Sequence, residues 1–190
     1  MKKTIICSLA GLAMICLLSL DLPKGWFKSG SAPDKYEMGI ATSAGANGKN
    51  VATIKSTAEK IKGYEFGTLM QSCLPGKYLG KKVKMTGMVK SEQVTGWAGL
   101  WLRVDEADSK KSLSFDNMYD RRITGTTDWK EYEIILDVPN NSSKLAYGAL
   151  LSGKGQIWFD NIKFEIVDEH ALTTGRSTLE EPQNLNFEDK

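Results

Sequence analysis

The sequence predicts an all-β protein, an antiparallel two-sheet β-sandwich (jelly roll) preceded by an apolar N-terminal segment. Three observations carry this prediction. After residue 21 no segment keeps a 3.6-residue apolar period over three turns, whereas alternation of apolar and polar residues recurs. Gly, Pro, Asn and Asp interrupt the alternation roughly every ten residues. The length of 190 residues and the hydrophobic content of 41% suit one domain with an adequate core.

Residues 1–20 are predicted to be a signal peptide or an N-terminal membrane anchor. Lys2 and Lys3 precede a run of 17 residues, Thr4 to Leu20, that contains no charged residue. A basic start followed by an apolar run is typical of export signals, and the run reaches the lower limit for a membrane helix. We therefore expect a secreted or cell-envelope protein, either released by cleavage or anchored in the membrane through residues 4–20. The alternative is a buried N-terminal helix.

Residues 21–168 are predicted to form the sandwich. Turn signals at 74–76, 138–141 and 152–155 separate its strands. Eight or nine strands without intervening helices indicate two antiparallel sheets packed face to face. The predicted strands are Tyr36–Thr42, Val51–Ser56, Thr68–Cys73, Lys82–Lys90, Ala98–Val104, Lys130–Val138, Lys144–Leu151 and Gln156–Ile166.

Charge, histidine and cysteine content exclude several function classes. With 25 basic and 23 acidic residues, the net charge of +2 gives no electrostatic footprint of a nucleic-acid binder. The single His disfavours a histidine-rich metal site or a His-dependent triad. Cys73 is the only cysteine after residue 20, and we expect it to be a small core residue. The chain has no motif of a serine hydrolase, zinc protease or P-loop enzyme, so we predict that it is not an enzyme.

The segment from Gly96 to Asp105 contains the leading candidate binding residues. Alternation places its aliphatic residues on the core face and Trp97, Trp101, Arg103 and Asp105 on the opposite face. Aromatic faces stack on apolar ring surfaces, while Arg and Asp make directional hydrogen bonds. This face is therefore typical of a platform for a sugar or small ligand. The equally weighted alternative is that a flanking loop buries both indoles as a secondary core.

Asp116, Asn117 and Trp129 are further candidate ligand-binding residues. They lie in polar segments downstream that could surround such a platform, and convergent polar groups beside an aromatic patch are typical of ligand sites. The alternative for the two polar residues is structural. Asp and Asn commonly close Asx turns, and Arg121 and Arg122 lie close enough in sequence to pair with the acidic residues.

Several motifs together resemble a bacterial jelly-roll, carbohydrate-binding-module-like domain with a galactose-binding-like β-sandwich. The motifs are Leu22–Trp26, Gly80–Gly87, Ala98–Asp105, Gly125–Trp129 and Ile157–Glu165. A similar domain is appended to some bacterial helix-turn-helix transcription regulators. The resemblance implies a non-catalytic module that binds a glycan or another small molecule. The predicted export segment indicates a location outside the cytoplasm, and the charge balance indicates no nucleic-acid partner. Two alternatives stay open: a sensor or protein-interaction domain of unknown ligand, and a carboxylate-dependent glycoside hydrolase.

The tail, residues 169–190, is predicted to return as an edge strand at 184–188. Sandwiches of the resembled class usually open with a strand of the pattern that this chain carries at Asn184–Glu188. The alternatives are pairing with a neighbouring molecule, which would give a strand-swapped homo-oligomer, and a disordered tail. The resemblance also implies a structural calcium held by Asp160 and Glu188, whose oxygen ligands suit this ion. We expect no other cofactor.

Overall fold

The computed structural model describes residues 20–45, 49–107 and 112–175, and these contain nine strands. Three 3₁₀ helices of three residues each connect them at Pro33–Lys35, Gly76–Tyr78 and Tyr119–Arg121. The strands are β1 Phe27–Gly30, β2 Tyr36–Ala41, β3 Val51–Ser56, β4 Phe66–Cys73, β5 Lys81–Glu106, β6 Ser112–Asp116, β7 Ile123–Val138, β8 Ser142–Ser152 and β9 Gln156–Val167.

Two of the sequence predictions fall outside these ranges. The apolar run up to residue 19 and the predicted edge strand at 184–188, which includes Glu188, are not among the described residues. The export segment, the returning strand and the strand swap therefore stay predictions. In the part of the chain that is described, no helix is long and apolar enough to span a membrane.

Strand β5 connects two halves of the sheet network. Its residues 82–92 pair with β9 and its residues 81–98 with β7, whereas residues 97–106 pair with β8 and residues 102–105 with β6. One half then has the strand order β1-β4-β8-β5-β6 and the other the order β2-β3-β9-β5-β7. Register shifts between Val89 and Ala98 mark the change of sheet, because bulges bend a strand and increase its twist.

The two halves pack against each other through one apolar core. Buried side chains from both halves belong to a single cluster, which is expected when two sheets stack face to face. All strand pairings are antiparallel among the described residues. The all-β antiparallel sandwich is therefore confirmed. Large members of the core are Met38, Ile54, Leu69, Met85, Leu100, Leu102, Leu145, Leu151, Ile157 and Phe159.

The predicted strands correspond closely to the observed ones. Val51–Ser56 has the predicted bounds, whereas the predicted strands at Lys82–Lys90 and Ala98–Val104 are parts of the single strand β5. The short strands β1 and β6 were not predicted. Cys73 is exposed, so the prediction that it is a core residue is wrong. It lies at the last position of β4, where the strand leaves the part of the sheet that the core covers.

After β9 the chain returns along the outside of the β2-β3-β9-β5-β7 half. The backbone N–H of Thr174 donates to the carbonyl of Ile135 at 2.9 Å, and the N–H of Ile135 donates to the Thr174 hydroxyl at 2.8 Å. The ammonium of Lys82 donates to the carbonyl of Ala171 at 2.8 Å. These contacts fix residues 171–174 beside β7 and bring Gly175 next to Asp116.

Candidate ligand-binding site

A cleft of about 590 Å³ lies on the outer face of the β1-β4-β8-β5-β6 half, on the side opposite the core. Its five aromatic side chains come from four different strands: Phe27 of β1, Phe66 of β4, Trp97 and Trp101 of β5, and Phe115 of β6. The strand alternation that sends Leu100 and Leu102 into the core sends the two tryptophans into this cleft. The predicted outward-facing platform on β5 thus forms part of a concave, mainly apolar surface.

The floor of the cleft is a second apolar cluster that crosses three strands. In the pairing register, Trp101 lies opposite Gly148 of β8, and Gly148 lies opposite Met70 of β4. Because Gly148 carries no side chain, the indole and Met70 can approach each other above β8. Ala146 and Leu150 of β8 complete the cluster, against which Phe66 and Trp97 also pack.

Trp101 is held in place by a hydrogen bond. Its side chain is 7% exposed, and the indole Nε1–H donates to the hydroxyl of Thr68 at 2.8 Å. That hydroxyl in turn donates to the carbonyl of Ala149 at 2.7 Å. With its single polar atom satisfied inside the protein, Trp101 forms the rigid base of the cleft. It corresponds to the secondary-core alternative of the sequence analysis.

Trp97 forms a wall of the cleft and keeps part of its surface accessible. It is half-buried, and the ring of Tyr119 meets it edge to face, with 5.4 Å between ring centroids and an interplanar angle of 86°. Such edge contacts are favourable between aromatic rings. The guanidinium of Arg122 lies 4.5 Å from the centroid of the Tyr119 ring on the outside. Trp97 is therefore supported from behind while it faces the cleft.

Arg103 brings a positive charge to the cleft, and Asp105 orients it. Nε of Arg103 lies 2.7 Å from Oδ1 of Asp105, and Nη2 donates to Oδ2 at 3.1 Å. The ammonium of Lys144 lies 3.0 Å from the same Oδ2. Burial raises the pKa of Asp105, but the hydrogen bonds and charges of Arg103 and Lys144 outweigh burial and hold the pKa below its usual range. Asp105 is therefore a buried anion whose role is to fix Arg103.

Asn117 reaches the cleft from the segment after β6. Gly99 allows this, because a Cβ at position 99 would lie 3.0 Å from the carbonyl oxygen of Asn117 and 3.2 Å from Cβ of Met118. The side-chain oxygen of Asn117 accepts the backbone N–H of Tyr119 at 3.2 Å, which leaves its amide NH₂ as the group it can offer to a ligand.

Asp116 and Trp129 do not line the cleft. Asp116 is 3% exposed, and its carboxylate accepts two hydrogen bonds from Arg121, at 2.6 and 3.2 Å, and one from the N–H of Met118 at 2.7 Å. Asp116 therefore closes an Asx turn and forms a buried ion pair, as the structural alternative in the sequence analysis describes. Trp129 belongs to β7, in the other half of the sandwich. The structure thus brings together Trp97, Trp101, Arg103 and Asn117, with Asp105 behind them.

Several cleft residues were not singled out from the sequence. Thr68 and Met70 share a face of β4 by alternation, so that signal was available in a predicted strand. Phe27 and Phe115 belong to strands of four and five residues, which are too short to show a period. No acidic side chain lines the cleft among the described residues.

The described residues around Asp160 do not by themselves form a calcium site. The Asp160 side chain accepts the backbone N–H of Asn161 at 2.7 Å and lines a shallow depression with Asn50 and Trp26. Calcium takes six to eight oxygen ligands, commonly several carboxylates. Asp160 is the one acidic residue lining this depression within the described ranges, and no group of three acidic, His or Cys residues occurs there. The proposed partner Glu188 is not described, so the calcium stays a prediction.

Comparison with known proteins relates the chain in sequence to one curated protein. No family model matches the chain. Over 171 residues, 88% of the chain, it is 44% identical to a Bacillus subtilis (strain 168) protein named as the uncharacterized HTH-type transcriptional regulator YbfP, and it spans 57% of that protein's length. Such a match covers a region of the relative and not the whole protein.

Two solved structures illustrate the likeness in fold. The CBM22-1 xylan-binding domain of Paenibacillus barcinonensis Xyn10C has a TM-score of 0.54 at 16% identity, covering 78% of this chain and 90% of that domain. The enzymatically active domain of bacteriophage CBA120 tailspike protein 4 has a TM-score of 0.56 at 10% identity, covering 76% of this chain and 20% of that one. The chain has the β-sandwich fold of carbohydrate-binding modules and shares sequence with a helix-turn-helix-type regulator, which confirms the resemblance inferred from its motifs.

Proposed function

We propose that this jelly-roll sandwich is a non-catalytic module that binds a saccharide in the cleft on the outer face of β1-β4-β8-β5-β6. The observation that carries the proposal is the combination of Trp97, half-exposed on the wall, with a rigid apolar floor around Trp101. Sugar rings present apolar C–H faces that stack on aromatic rings, and their hydroxyls bind polar groups at the edge. The fold shared with a xylan-binding domain supports the same function.

Binding without hydrolysis is the reading that the cleft chemistry favours. A glycosidase of the common type needs two carboxyl groups on either side of the scissile bond. The described residues that line the cleft include no Asp or Glu, and the buried carboxylates of Asp105 and Asp116 next to them are paired with cations. The chemical groups offered to a ligand are therefore aromatic faces, hydroxyls, an amide and a guanidinium.

A sensor is the second candidate, and one observation favours it. This chain shares sequence with a protein named as an HTH-type regulator. In a sensor, ligand binding in the cleft would change the activity of another domain or protein. In that case the cleft would bind a soluble compound that is not a saccharide. A thermal-shift screen of small metabolites distinguishes the two, because only the sensor function predicts stabilisation by a non-saccharide that is lost in Trp97→Ala.

We also propose that the module acts outside the cytoplasm. The two lysines and the uncharged run of residues 4–20 support this location. Cell fractionation with mass spectrometry of the mature N-terminus tests it. Recovery of the chain only from the cytosol would contradict it.

A glycan array with three forms of the protein tests the proposed function. Wild type is expected to bind a defined subset of saccharides, and Trp97→Ala is expected to lose about tenfold or more in affinity for them, the usual effect of removing an aromatic anchor. Trp158→Ala is the matched control, since Trp158 is also half-buried but lies on β9 in the other half. Absence of saccharide binding, or equal binding by wild type and Trp97→Ala, would overturn the proposal.

A further inference from the structure

We propose that the saccharide bound in this cleft is acidic, and that its carboxylate binds the guanidinium of Arg103. This inference rests on the proposed function and adds the ligand class. Among the described residues, Arg103 is the one charged side chain that lines the cleft, and its side chain is 43% exposed. It lies on the same strand face as Trp97 and Trp101, so a ring stacked on the aromatic wall can bring a carboxylate to it.

The contact with Asp105 leaves one edge of the Arg103 guanidinium for a carboxylate. Asp105 contacts one edge of the guanidinium: Nη2 donates to Oδ2 at 3.1 Å, and Nε lies 2.7 Å from Oδ1 but forms no hydrogen bond. Arginine has five N–H donors in a planar fork, and both donors on Nη1 and the second donor on Nη2 take no part in this contact. The remaining edge, between Nη1 and Nη2, matches the spacing of two carboxylate oxygens. Because Asp105 fixes the plane, less side-chain entropy is lost when the ligand binds.

Charge balance favours an anion at this position. Asp105 carries one negative charge, whereas Arg103 and Lys144 beside it carry one positive charge each, so the group has an excess of one positive charge. A ligand carboxylate would neutralise that excess. With a neutral sugar bound, only solvent ions would balance this excess positive charge.

Three side-chain oxygens that line the cleft already accept hydrogen bonds from the protein. The Thr68 hydroxyl accepts from Trp101 and donates to Ala149. The Ser31 hydroxyl accepts the N–H of Phe66 at 3.0 Å, and the Asn117 oxygen accepts the N–H of Tyr119 at 3.2 Å. Each hydroxyl of a neutral sugar needs an acceptor for its hydrogen, whereas a carboxylate needs only donors. A carboxylate in place of one hydroxyl therefore reduces by one the number of acceptors that the ligand needs from the cleft.

The test compares oligosaccharides that differ only in the carboxyl group. Isothermal titration of the full chain would use oligogalacturonate and glucuronate-substituted xylo-oligosaccharide, each beside its carboxyl-reduced counterpart. We expect at least one acidic form to bind about tenfold or more tightly than its reduced form, as expected for a charge-assisted hydrogen bond, with affinity that falls as salt rises. Arg103→Gln should abolish the preference, and Arg103→Lys should retain part of it.

Lys55→Gln is the control for the loss of one positive charge, because Lys55 is exposed on β3 in the other half. Circular dichroism of each variant establishes that it is folded before it is titrated. Equal affinity for acidic and reduced forms, or binding of neutral xylo-oligosaccharides alone, would overturn the acidic ligand while leaving the proposed saccharide function intact. Failure of the wild type to bind any of these saccharides or the glycan array would overturn both.

Discussion

The indole N–H of Trp101 on β5 donates a 2.8 Å hydrogen bond to the hydroxyl of Thr68 on β4, across the intervening strand β8. The Thr68 hydroxyl in turn donates a hydrogen bond of 2.7 Å to the carbonyl of Ala149 on β8. These two bonds join three strands on the face opposite the core. They also determine which part of Trp101 can meet a ligand, because the indole is fixed as the floor of the cleft.

Replacing Thr68 by valine tests that role. Thr68→Val keeps the shape of the side chain but leaves the Trp101 N–H without its acceptor, so we expect the free energy of unfolding to fall by about 1–3 kcal/mol. Saccharide affinity should also fall, because the floor is no longer fixed. Urea denaturation and titration with a saccharide bound by the wild type measure the two effects.

Thr53→Val is the matched control for this prediction. Thr53 is buried on β3, and its hydroxyl donates to the carbonyl of Ile157 at 2.8 Å in the other half of the sandwich. The Thr53→Val variant should lose about as much stability as Thr68→Val but keep the saccharide affinity of the wild type. If both variants lose affinity equally, the effect comes from general destabilisation and not from the floor of the cleft.

The ion pair between Asp116 and Arg121 should contribute to stability and not to binding. The Asp116 carboxylate is almost fully buried, whereas the Arg121 side chain is 31% exposed. Arg121→Met leaves a buried charge without its partner, which we expect to cost about 3 kcal/mol, the lower end for such a loss because water can reach the site.

A double-mutant cycle measures this coupling. Asp116→Asn/Arg121→Met should lose clearly less stability than the sum of the two single variants, since the double variant holds no unpaired buried charge. Chemical denaturation gives the four free energies. Additive losses, or a loss of saccharide affinity in a folded Asp116→Asn variant, would contradict the structural role.

The pH dependence of stability should report the carboxylate of Asp105. Its folded-state pKa is lowered, because the hydrogen bonds and charges of Arg103 and Lys144 outweigh the opposing effect of burial. A lowered folded-state pKa stabilises the protein above the unfolded-state pKa, about 3.9. That stabilisation is lost as the pH falls from the unfolded-state pKa through the lower folded-state pKa.

Asp105→Asn should remove this contribution. We expect the variant to be less stable than the wild type by about 1 kcal/mol at pH 7, with the difference shrinking as pH drops below about 4. Thermal unfolding between pH 3 and pH 7 measures it. Asp34→Asn, at an exposed position in the first 3₁₀ helix, controls for the loss of one carboxylate. A pH profile of Asp105→Asn parallel to that of the wild type would refute the role assigned to Asp105.

Much of the sandwich could be predicted from the sequence because its long strands alternate regularly. Val83, Met85 and Val89 on β5 and Ile134, Leu136 and Val138 on β7 are buried as the alternation predicts. The length of β5 could not be predicted. Its middle section, residues 91–96, is mostly polar and glycine, which is typical of a turn, yet it bends between the two sheets.

The candidate site could be predicted only along one strand. Alternation places Trp97, Trp101 and Arg103 on one face, and the structure has them there. It says nothing about which strands lie beside β5. The contributions of Phe27 and Phe115 and the exclusion of Trp129 therefore depend on the pairing order, which a single sequence does not contain.

The central claim, that the cleft around Trp97 binds a saccharide, can be tested directly on the five tryptophans of the chain. Each indole N–H gives its own signal in a ¹H–¹⁵N correlation spectrum. The full chain would be titrated with xylohexaose and, separately, with hexagalacturonate. The signals of Trp97 and Trp101 should shift with at least one of them, while those of Trp26, Trp129 and Trp158 stay in place. Shifts confined to these last three, or no indole shift with either saccharide, would contradict the account.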